Sequence, residues 1–201
     1  MKLTIPNQLT ILRIVLTFIF LFYFIKNTPE DQLIASILFI LATLTDWYDG
    51  WFARRFGVIT RWGQFMDPLA DKFLVSSALV VFAAMNYVKW WMVWIIVGRD
   101  ILVTIIRIYA LSRGTPLVTS ILAKWKTFTQ MAVILMILAY INWLNFYDGG
   151  SSTYQAQYID FVGISMLLVT LLTLMSALLY FYENWHLVWR MLKEVFVKSS
   201  V

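Results

Sequence analysis

Four aspartates occupy one short stretch of the chain, at Asp46, Asp49, Asp67 and Asp71. The first two are three positions apart and the last two are four apart, so on α-helices each pair lies on one helix face. Carboxylates that converge from two helix ends repel one another unless a cation lies between them. The chain has no cysteine and one histidine, so this set of donors favours a hard divalent cation, Mg²⁺ or Mn²⁺, over Zn²⁺.

Four carboxylates can hold two such ions if some of them bridge. Because a pair of metal ions stabilises both the attacking and the leaving oxygen of a displacement at phosphorus, the stretch predicts phosphoryl-transfer chemistry. Gly50, Ala53 and Gly63 each lie four positions from an aspartate, which leaves room for a phosphorylated ligand beside the backbone. The alternative is a group of acids that only keeps two helix ends and their loop in water.

The rest of the chain is too apolar for a soluble protein. Of its 201 residues 61% are hydrophobic and 13% charged, and the mean hydropathy is +0.76, whereas a soluble domain needs more polar surface to cover its core. We therefore predict an all-α integral membrane protein, in which ionisable groups are costly and usually functional. The net charge of +5 is better explained by membrane topology than by nucleic-acid binding.

Six apolar stretches predict six transmembrane helices in one domain, residues 1–201. They run over 9–25, 33–45, 73–88, 90–111, 121–145 and 158–182. A span needs about 20 residues, so helix 2 must continue through Asp46 toward Arg54, and helix 3 must begin between Gly63 and Asp67. The aspartates then lie on the end turns of these helices, with a turn at 55–62. A short segment, 1–6, precedes the first helix, and an amphipathic tail covers about 184–201.

The basic residues are distributed unevenly along the predicted spans. With a cytoplasmic N-terminus, only Lys26 and Lys89 fall in outer turns, and Arg99 and Arg107 lie inside helix 4. The other twelve lysines and arginines, Arg13 and Lys72 among them, lie at or near the cytoplasmic side. By the positive-inside rule this predicts that both termini and the aspartates are cytoplasmic. A cation transporter is the alternative from another class. It is disfavoured because the acids cluster at one end, with arginines among them.

The aspartate stretch resembles the signature of the CDP-alcohol phosphotransferases, D-x2-D-G-x2-A-R-x8-G-x3-D-x3-D. The fixed positions here are Asp46, Asp49, Gly50, Ala53, Arg54, Gly63, Asp67 and Asp71. The resemblance implies the CDP-alcohol phosphotransferase fold, which is a six-helix enzyme of the membrane, usually a homodimer, with its site at the cytoplasmic interface. It also implies a pair of divalent cations, Mg²⁺ or Mn²⁺.

The resemblance further implies a role for each matching residue. One metal ion would be held by Asp46, Asp49 and Asp67, the other by Asp46, Asp67 and Asp71, and Asp71 would also be the general base. The CDP-lipid would be bound by Asn7, Thr10, Asp49, Gly50, Ala53, Arg54, Thr60 and Gly63. Asn7 and Thr10 belong to an N-terminal IPNQLTILR that is similar to one branch of the family, although Pro6 and Asn7 are equally typical of a helix start.

Basic residues of helices 4 and 5 bear on the second substrate. Together they would form a cradle for an acceptor's phosphate. The cradle would consist of Arg99, Arg107, Arg113, Lys124 and Lys126. Arg99 is as readily a neutralising partner of Asp100, and Lys124 and Lys126 are as readily topogenic charges.

The same region resembles bacterial phosphatidylglycerophosphate synthases, which carry an Arg–acid pair, a later Arg and K-x-K-T-x-x-Q, although here Asp100 stands where Glu is more usual. The implied reaction, in the bacterial cell membrane, transfers the phosphatidyl group of CDP-diacylglycerol to glycerol 3-phosphate. The products would be phosphatidylglycerophosphate and CMP, for phospholipid biosynthesis. Phosphatidylglycerol, inositol phosphate and serine remain as alternative acceptors, because the whole family shares the signature. Aromatic residues of helices 5 and 6 are assigned to lipid contact or packing.

Overall fold

The computed structural model describes residues 5–56, 61–112, 121–147 and 158–186, together with 189, 190 and 193. The described residues form six helices, and the prediction of an all-α chain is confirmed. The helices are α1 (Ile5–Ile25), α2 (Pro29–Phe56), α3 (Arg61–Ala84), α4 (Trp90–Ser112), α5 (Ile121–Tyr147) and α6 (Phe161–Glu183). The predicted tail is helical at 185–186, 189–190 and 193, and the rest of it lies outside the described residues.

Three helices within the described part of the chain are long and apolar enough to cross a membrane. They cover Asn7–Ile25, Trp125–Tyr147 and Phe161–Glu183. Large apolar side chains also face outward, such as Phe22, 62% exposed, and Leu178, 71% exposed. Outward apolar side chains on this scale fit contact with lipid rather than with water.

Helix α2 begins at Pro29, four positions before the apolar run that predicts it. The run misses this start because the first turn of the helix is polar. The Asp31 N–H donates to the Thr28 hydroxyl oxygen over 3.2 Å, and Glu30 and Asp31 lie in the first turn, where the helix dipole favours negative charge. The 28 residues of α2 extend about 42 Å, more than the ~30 Å hydrocarbon layer. Its last turns, which carry Asp46 and Asp49, can therefore reach the interface.

The first three helices form one packed unit, with α1 against both α2 and α3. The rings of Phe20 and Phe39 lie 5.5 Å apart, and those of Phe24 and Phe82 lie 5.2 Å apart. Helix α6 packs on α4 and α5, and contacts of α2 with α5 and of α3 with α4 and α5 join the two halves. This packing brings the start of α1, the end of α2 and the start of α3 to one end of the bundle.

A neutral polar cluster, here called the amide network, lies at the opposite end of the bundle. Its members are Asn27, Gln32, Ser36, Tyr87, Asn142 and Asn145. The Gln32 amide donates to Asn27 over 2.7 Å and to Tyr87 over 2.9 Å, and it accepts from Asn145 over 2.6 Å. Such interhelical hydrogen bonds stabilise helix association where water is excluded.

Helix α6 is apolar on most of its surface but buries a line of hydroxyl side chains. Thr170, Thr173, Ser176 and Tyr180 are all at most 2% exposed, and their spacing of three, three and four places them on one face. Asp160 is the N-cap of the helix, and its carboxylate accepts from the Gly163 N–H over 2.8 Å. The buried hydroxyl line faces α4 and α5, the helices that α6 contacts.

Candidate active site

Arg13 of α1 lies at the centre of the aspartate cluster, and its side chain is 0% exposed. Its Nη2 lies 2.7 Å from Asp46 Oδ1 and 2.5 Å from Asp49 Oδ2, and its Nη1 donates to Asp71 Oδ1. These carboxylates come from α2 and α3, so one guanidinium joins three helices. A buried cation at this point offsets the repulsion among the carboxylates.

Asp67, the remaining aspartate, is held by a different group of α1. The Thr10 hydroxyl donates to Asp67 Oδ1 over 2.6 Å. Thr10 precedes Arg13 by three positions on the same helix face, so a single stretch of α1 contacts all four aspartates. Asn7, one turn further back, is 4% exposed.

Two of the carboxylates also face a cavity of about 260 Å³. The Asp46 side chain is 39% exposed and that of Asp71 is 42% exposed, whereas Asp49 is only 7% exposed. Asp46 and Asp71 border the cavity. Each of them therefore contacts Arg13 on its buried side and keeps carboxylate surface accessible from the cavity.

The other walls of the cavity come from α3, α4, α5 and α6. The remaining bordering residues are Lys72, Val75, Arg99, Asp100, Val103, Thr104, Arg107, Thr127, Gln130, Met131 and Tyr180. Arg107 has no ion-pair partner among the residues that the structure describes. One cavity is thus bordered by the carboxylates of Asp46 and Asp71 from α2 and α3 and by the guanidinium groups of Arg99 and Arg107 from α4.

Asp100 gathers three cations beside the cavity. Its Oδ2 lies 3.1 Å from Lys72 Nζ, its Oδ1 lies 3.2 Å from Arg99 Nη1, and Lys126 Nζ also donates to Oδ1. Asp100 and Lys126 are 2% and 1% exposed. A single carboxylate cannot neutralise three cations, so the region stays positive and favours an anionic ligand.

The five residues predicted to hold an acceptor's phosphate differ in where the structure places them and in whether it describes them. Arg99 and Arg107 border the cavity, and Arg99 Nη2 also donates to Ser176 Oγ of α6 over 2.8 Å. Lys126 is paired with Asp100 and is not one of the described residues that border the cavity. Arg113 lies outside the described residues, and for Lys124 the description covers the helix backbone and not the side chain.

The residues predicted to bind the CDP-lipid are described only in part. Thr60 lies outside the described residues. Helix positions, without side chains, are described for Gly50, Ala53, Arg54 and Gly63. The described members are Asn7, Thr10 and Asp49, and all three are buried.

Sequence reasoning gave no site role to several side chains that lie at or beside the cavity. Lys72 is predicted only as a basic residue on the cytoplasmic side, Arg13 only as such a residue within the N-terminal IPNQLTILR, and Ser176 and Tyr180 fall in an apolar span. Helical spacing is a signal for all of these except Lys72. Thr10 and Arg13 share a helix face, and Thr173, Ser176 and Tyr180 repeat at helical intervals.

The fit to a divalent cation can be judged from the donors. Within the described ranges, no three acidic or histidine side chains are grouped so as to hold an ion, because the carboxylates close on Arg13 instead. Carboxylate oxygens are nevertheless the ligands that Mg²⁺ and Mn²⁺ prefer. Asp46 and Asp71 present such oxygens to the cavity, so the residues fit a hard cation bound from that side.

Comparison with known proteins gives a consistent result. The family model described as CDP-alcohol phosphatidyltransferase matches residues 3–154. Relatives named CDP-diacylglycerol–glycerol-3-phosphate 3-phosphatidyltransferase include one from Bacillus subtilis (strain 168), 30% identical over 90% of this chain and 95% of the relative. Relatives of the same name from Rickettsia bellii (strain RML369-C) and Shigella flexneri serotype 5b (strain 8401) are 31% and 32% identical, over 88% and 90% of this chain and 93% and 94% of their own.

Proposed function

The chain belongs to the CDP-alcohol phosphatidyltransferase family, and from this premise we propose which reaction it catalyses. The enzyme transfers the phosphatidyl group of CDP-diacylglycerol to glycerol 3-phosphate, in phospholipid biosynthesis, which is the reaction that its relatives are named for. One observation supports this reaction most: a single cavity is bordered by Asp46 and Asp71 from α2 and α3 and by Arg99 and Arg107 from α4. Such a cavity suits a nucleophile that also carries an anionic group.

The reaction forms one oxygen–phosphorus bond and breaks another. The primary hydroxyl oxygen of glycerol 3-phosphate attacks the lipid-linked phosphorus, and the bridging oxygen of the diphosphate leaves on CMP. The products are phosphatidylglycerophosphate and CMP. Asp71 is the proposed base that takes the hydroxyl proton, since it borders the cavity. Most of the catalysis then comes from positioning and charge stabilisation.

Family members generally depend on a divalent cation, and here we assign two ions, Mg²⁺ or Mn²⁺, to the four aspartates. Asp46, Asp49 and Asp67 would hold one ion, and Asp46, Asp67 and Asp71 the other. When bound, the ions neutralise charge on the diphosphate and on the leaving oxygen. The exposed carboxylate surface of Asp46 and Asp71 supports this assignment.

The two substrates would enter from opposite sides of the cavity. The CDP-lipid is assigned to the start of α1 and the end of α2, through Asn7, Thr10, Asp49, Gly50, Ala53 and Arg54, with Thr60 and Gly63 from the segment that follows. The acceptor's phosphate is assigned to Arg99, Arg107, Arg113 and Lys124. Lys126 adds positive charge through its pairing with Asp100.

We assign the protein as a single domain, residues 1–201, that crosses a bacterial cell membrane six times and acts as a homodimer. Both termini and the site would lie on the cytoplasmic side. The distribution of Lys and Arg supports this orientation, the length of α2 beyond the hydrocarbon supports an interfacial site, and the homodimer follows from the family resemblance alone.

The test is CMP release by the purified full chain in detergent with CDP-diacylglycerol and Mg²⁺. Glycerol 3-phosphate, inositol phosphate, serine and phosphatidylglycerol are offered separately. We expect turnover with glycerol 3-phosphate alone, its loss on chelation of divalent cations, and a decrease of about 10²- to 10⁴-fold in Asp71→Asn. Asp31→Asn, which removes a carboxylate at the other end of α2, is the matched control and should retain activity. Turnover with a different acceptor would overturn the proposed substrate, and full activity of Asp71→Asn would overturn the base.

A further inference from the structure

Two buried side chains that border the cavity have polar atoms without hydrogen-bond partners. Gln130 and Tyr180 are each 2% exposed. Among the described residues, the amide nitrogen and oxygen of Gln130 and the hydroxyl of Tyr180 have no hydrogen-bond partner. Buried polar groups are almost always satisfied in native proteins because leaving them unpaired costs free energy. Two such residues at one cavity indicate that a ligand supplies the missing partners.

The position of Tyr180 is fixed by its packing. Its ring belongs to a small apolar cluster with Val103 and Ile106 of α4, one helical turn beyond Ser176, which accepts from Arg99. Tyr182 lies on the same helix but is 84% exposed. The chain therefore holds one tyrosine of α6 against the cavity and leaves the other outside.

The chemistry of the cavity walls limits what the two neutral groups can bind. Arg99 and Arg107 suit a phosphate, and the carboxylate side of the cavity suits the reacting hydroxyl. The amide of Gln130 and the hydroxyl of Tyr180 can each donate and accept a hydrogen bond without charge. They therefore match a neutral hydroxyl of the ligand better than they match its phosphate.

We propose that Tyr180, together with Gln130, binds the non-reacting hydroxyl of a polyol phosphate acceptor. For glycerol 3-phosphate this is the hydroxyl on the middle carbon, between the reacting hydroxyl and the phosphate. The inference rests on the proposed function and deepens it, because it makes these residues determinants of acceptor specificity. A site built to hydrogen bond a substrate hydroxyl discriminates strongly against an analogue that lacks it.

The experiment compares glycerol 3-phosphate with 3-hydroxypropyl phosphate, which lacks only the middle hydroxyl. CMP release is measured for the wild type, for Tyr180→Phe and for the matched control Tyr182→Phe. We expect Tyr180→Phe to lower kcat/KM for glycerol 3-phosphate about tenfold, the size of one neutral hydrogen bond. Its kcat/KM for 3-hydroxypropyl phosphate and its KM for CDP-diacylglycerol should equal those of the wild type. Tyr182→Phe should match the wild type with both acceptors.

Several results would overturn the inference. An equal loss with both acceptors would give Tyr180 a purely structural role, and no loss would leave its hydroxyl without a ligand. If 3-hydroxypropyl phosphate is not turned over, its affinity is measured by calorimetry on the same proteins. Equal affinity of the wild type and Tyr180→Phe would support the inference, and weaker binding by the variant would contradict it.

Thermal unfolding and wild-type activity separate the remaining explanations. Because Tyr180→Phe removes an unpartnered buried hydroxyl, its Tm should equal or exceed that of the wild type. A clear decrease in Tm would contradict the premise that the hydroxyl has no internal partner. No wild-type turnover with glycerol 3-phosphate would overturn the proposed function and the inference with it. A fully active wild type with an equally active Tyr180→Phe would overturn the inference alone.

Discussion

Polar side chains that join the helices are arranged differently at the two ends of the bundle. At one end, the members of the amide network are neutral and bond mainly to one another, as Gln32 does with Asn27, Tyr87 and Asn145. At the other end, charged side chains surround a cavity, and Arg99, Gln130 and Tyr180 keep atoms without partners among the described residues. About 21 Å of α2 separates Gln32 from Asp46.

The comparison shows how a helix bundle can divide stability from function. A neutral network whose hydrogen bonds are satisfied within the protein stabilises helix contacts and has little capacity left for a ligand. A charged cluster with unused donors and acceptors costs stability until a ligand binds, a pattern common to functional sites in membrane proteins. Substitutions in the amide network should therefore change stability alone, whereas substitutions around the cavity should also change how the protein responds to ligands.

The largest effect is expected when the cation at the centre of the acid cluster is removed. Arg13→Met leaves Asp46, Asp49 and Asp71 without their shared partner, and breaking a buried charge cluster costs about 3–5 kcal/mol. Thermal unfolding in detergent, without divalent cations, should show a strongly lowered Tm. Added Mg²⁺ should raise the Tm of this variant more than that of the wild type, because the ions then replace the lost positive charge.

The matched control for this change is Arg13→Lys, which keeps the charge but not the two-pronged geometry. Its Tm should lie between those of Arg13→Met and the wild type. If Arg13→Met unfolds at the wild-type temperature without divalent cations, Arg13 does not stabilise the acids, and the contrast between the two ends disappears.

A smaller effect, on stability alone, is expected in the amide network. Gln32→Leu removes three partly buried hydrogen bonds, each of which contributes about 0.5–1.5 kcal/mol. Unfolding should occur at a lower temperature, while kcat with glycerol 3-phosphate stays within about twofold of the wild type, given the distance from the cavity. A large loss of kcat in a folded Gln32→Leu would show that the two ends are coupled.

A double-mutant cycle sharpens the same point. Gln32 and Asn145 share a hydrogen bond, so Gln32→Leu and Asn145→Leu together should destabilise the protein less than the sum of the single changes. Additive losses would mean that the amide network acts as separate contacts.

The smallest effect is expected where α6 supports the cationic wall. Ser176→Ala removes the hydroxyl that accepts from Arg99 Nη2, which should raise the KM for glycerol 3-phosphate several-fold and leave kcat and the KM for CDP-diacylglycerol unchanged. Ser165→Ala is the matched control on the same helix, since Ser165 only donates to the carbonyl oxygen of Phe161. If the KM for the CDP-lipid changes instead, Ser176 does not contribute to acceptor binding.

Local patterns carry the predictable part of this fold. Apolar runs predict the six helices, and the extension of helix 2 through Asp46 agrees with the end of α2 at Phe56. The starts of α2 and α3 are less predictable. The first turn of α2 is polar, and α3 begins at Arg61, two positions before the predicted range. Hydropathy measures apolar length, and helix ends depend on capping.

The candidate site shows the same limit at a larger scale. The aspartates can be identified because they recur at helical spacing within one stretch. Arg13 lies 33 positions before Asp46, and its spacing from Thr10 shows a shared helix face but not which residues that face contacts. The hydroxyl spacing on α6 likewise does not show that Tyr180 borders a cavity. Both reach the cavity region through the packing of α1 on α2 and α3 and of α6 on α4, which is long-range information absent from any single window.

Asp71 and Lys72 are neighbours on α3 and face different charge clusters. Asp71 accepts from Arg13, while Lys72 pairs with Asp100. A rotation or slide of α3 that improved one contact would disturb the other, so the register of this helix is constrained from two sides. The position of Asp71, the proposed base, is thereby held constant. The proposed acceptor residues Arg107, Gln130 and Tyr180 lie on α4, α5 and α6, so a change of acceptor, in evolution or by engineering, need not alter α3.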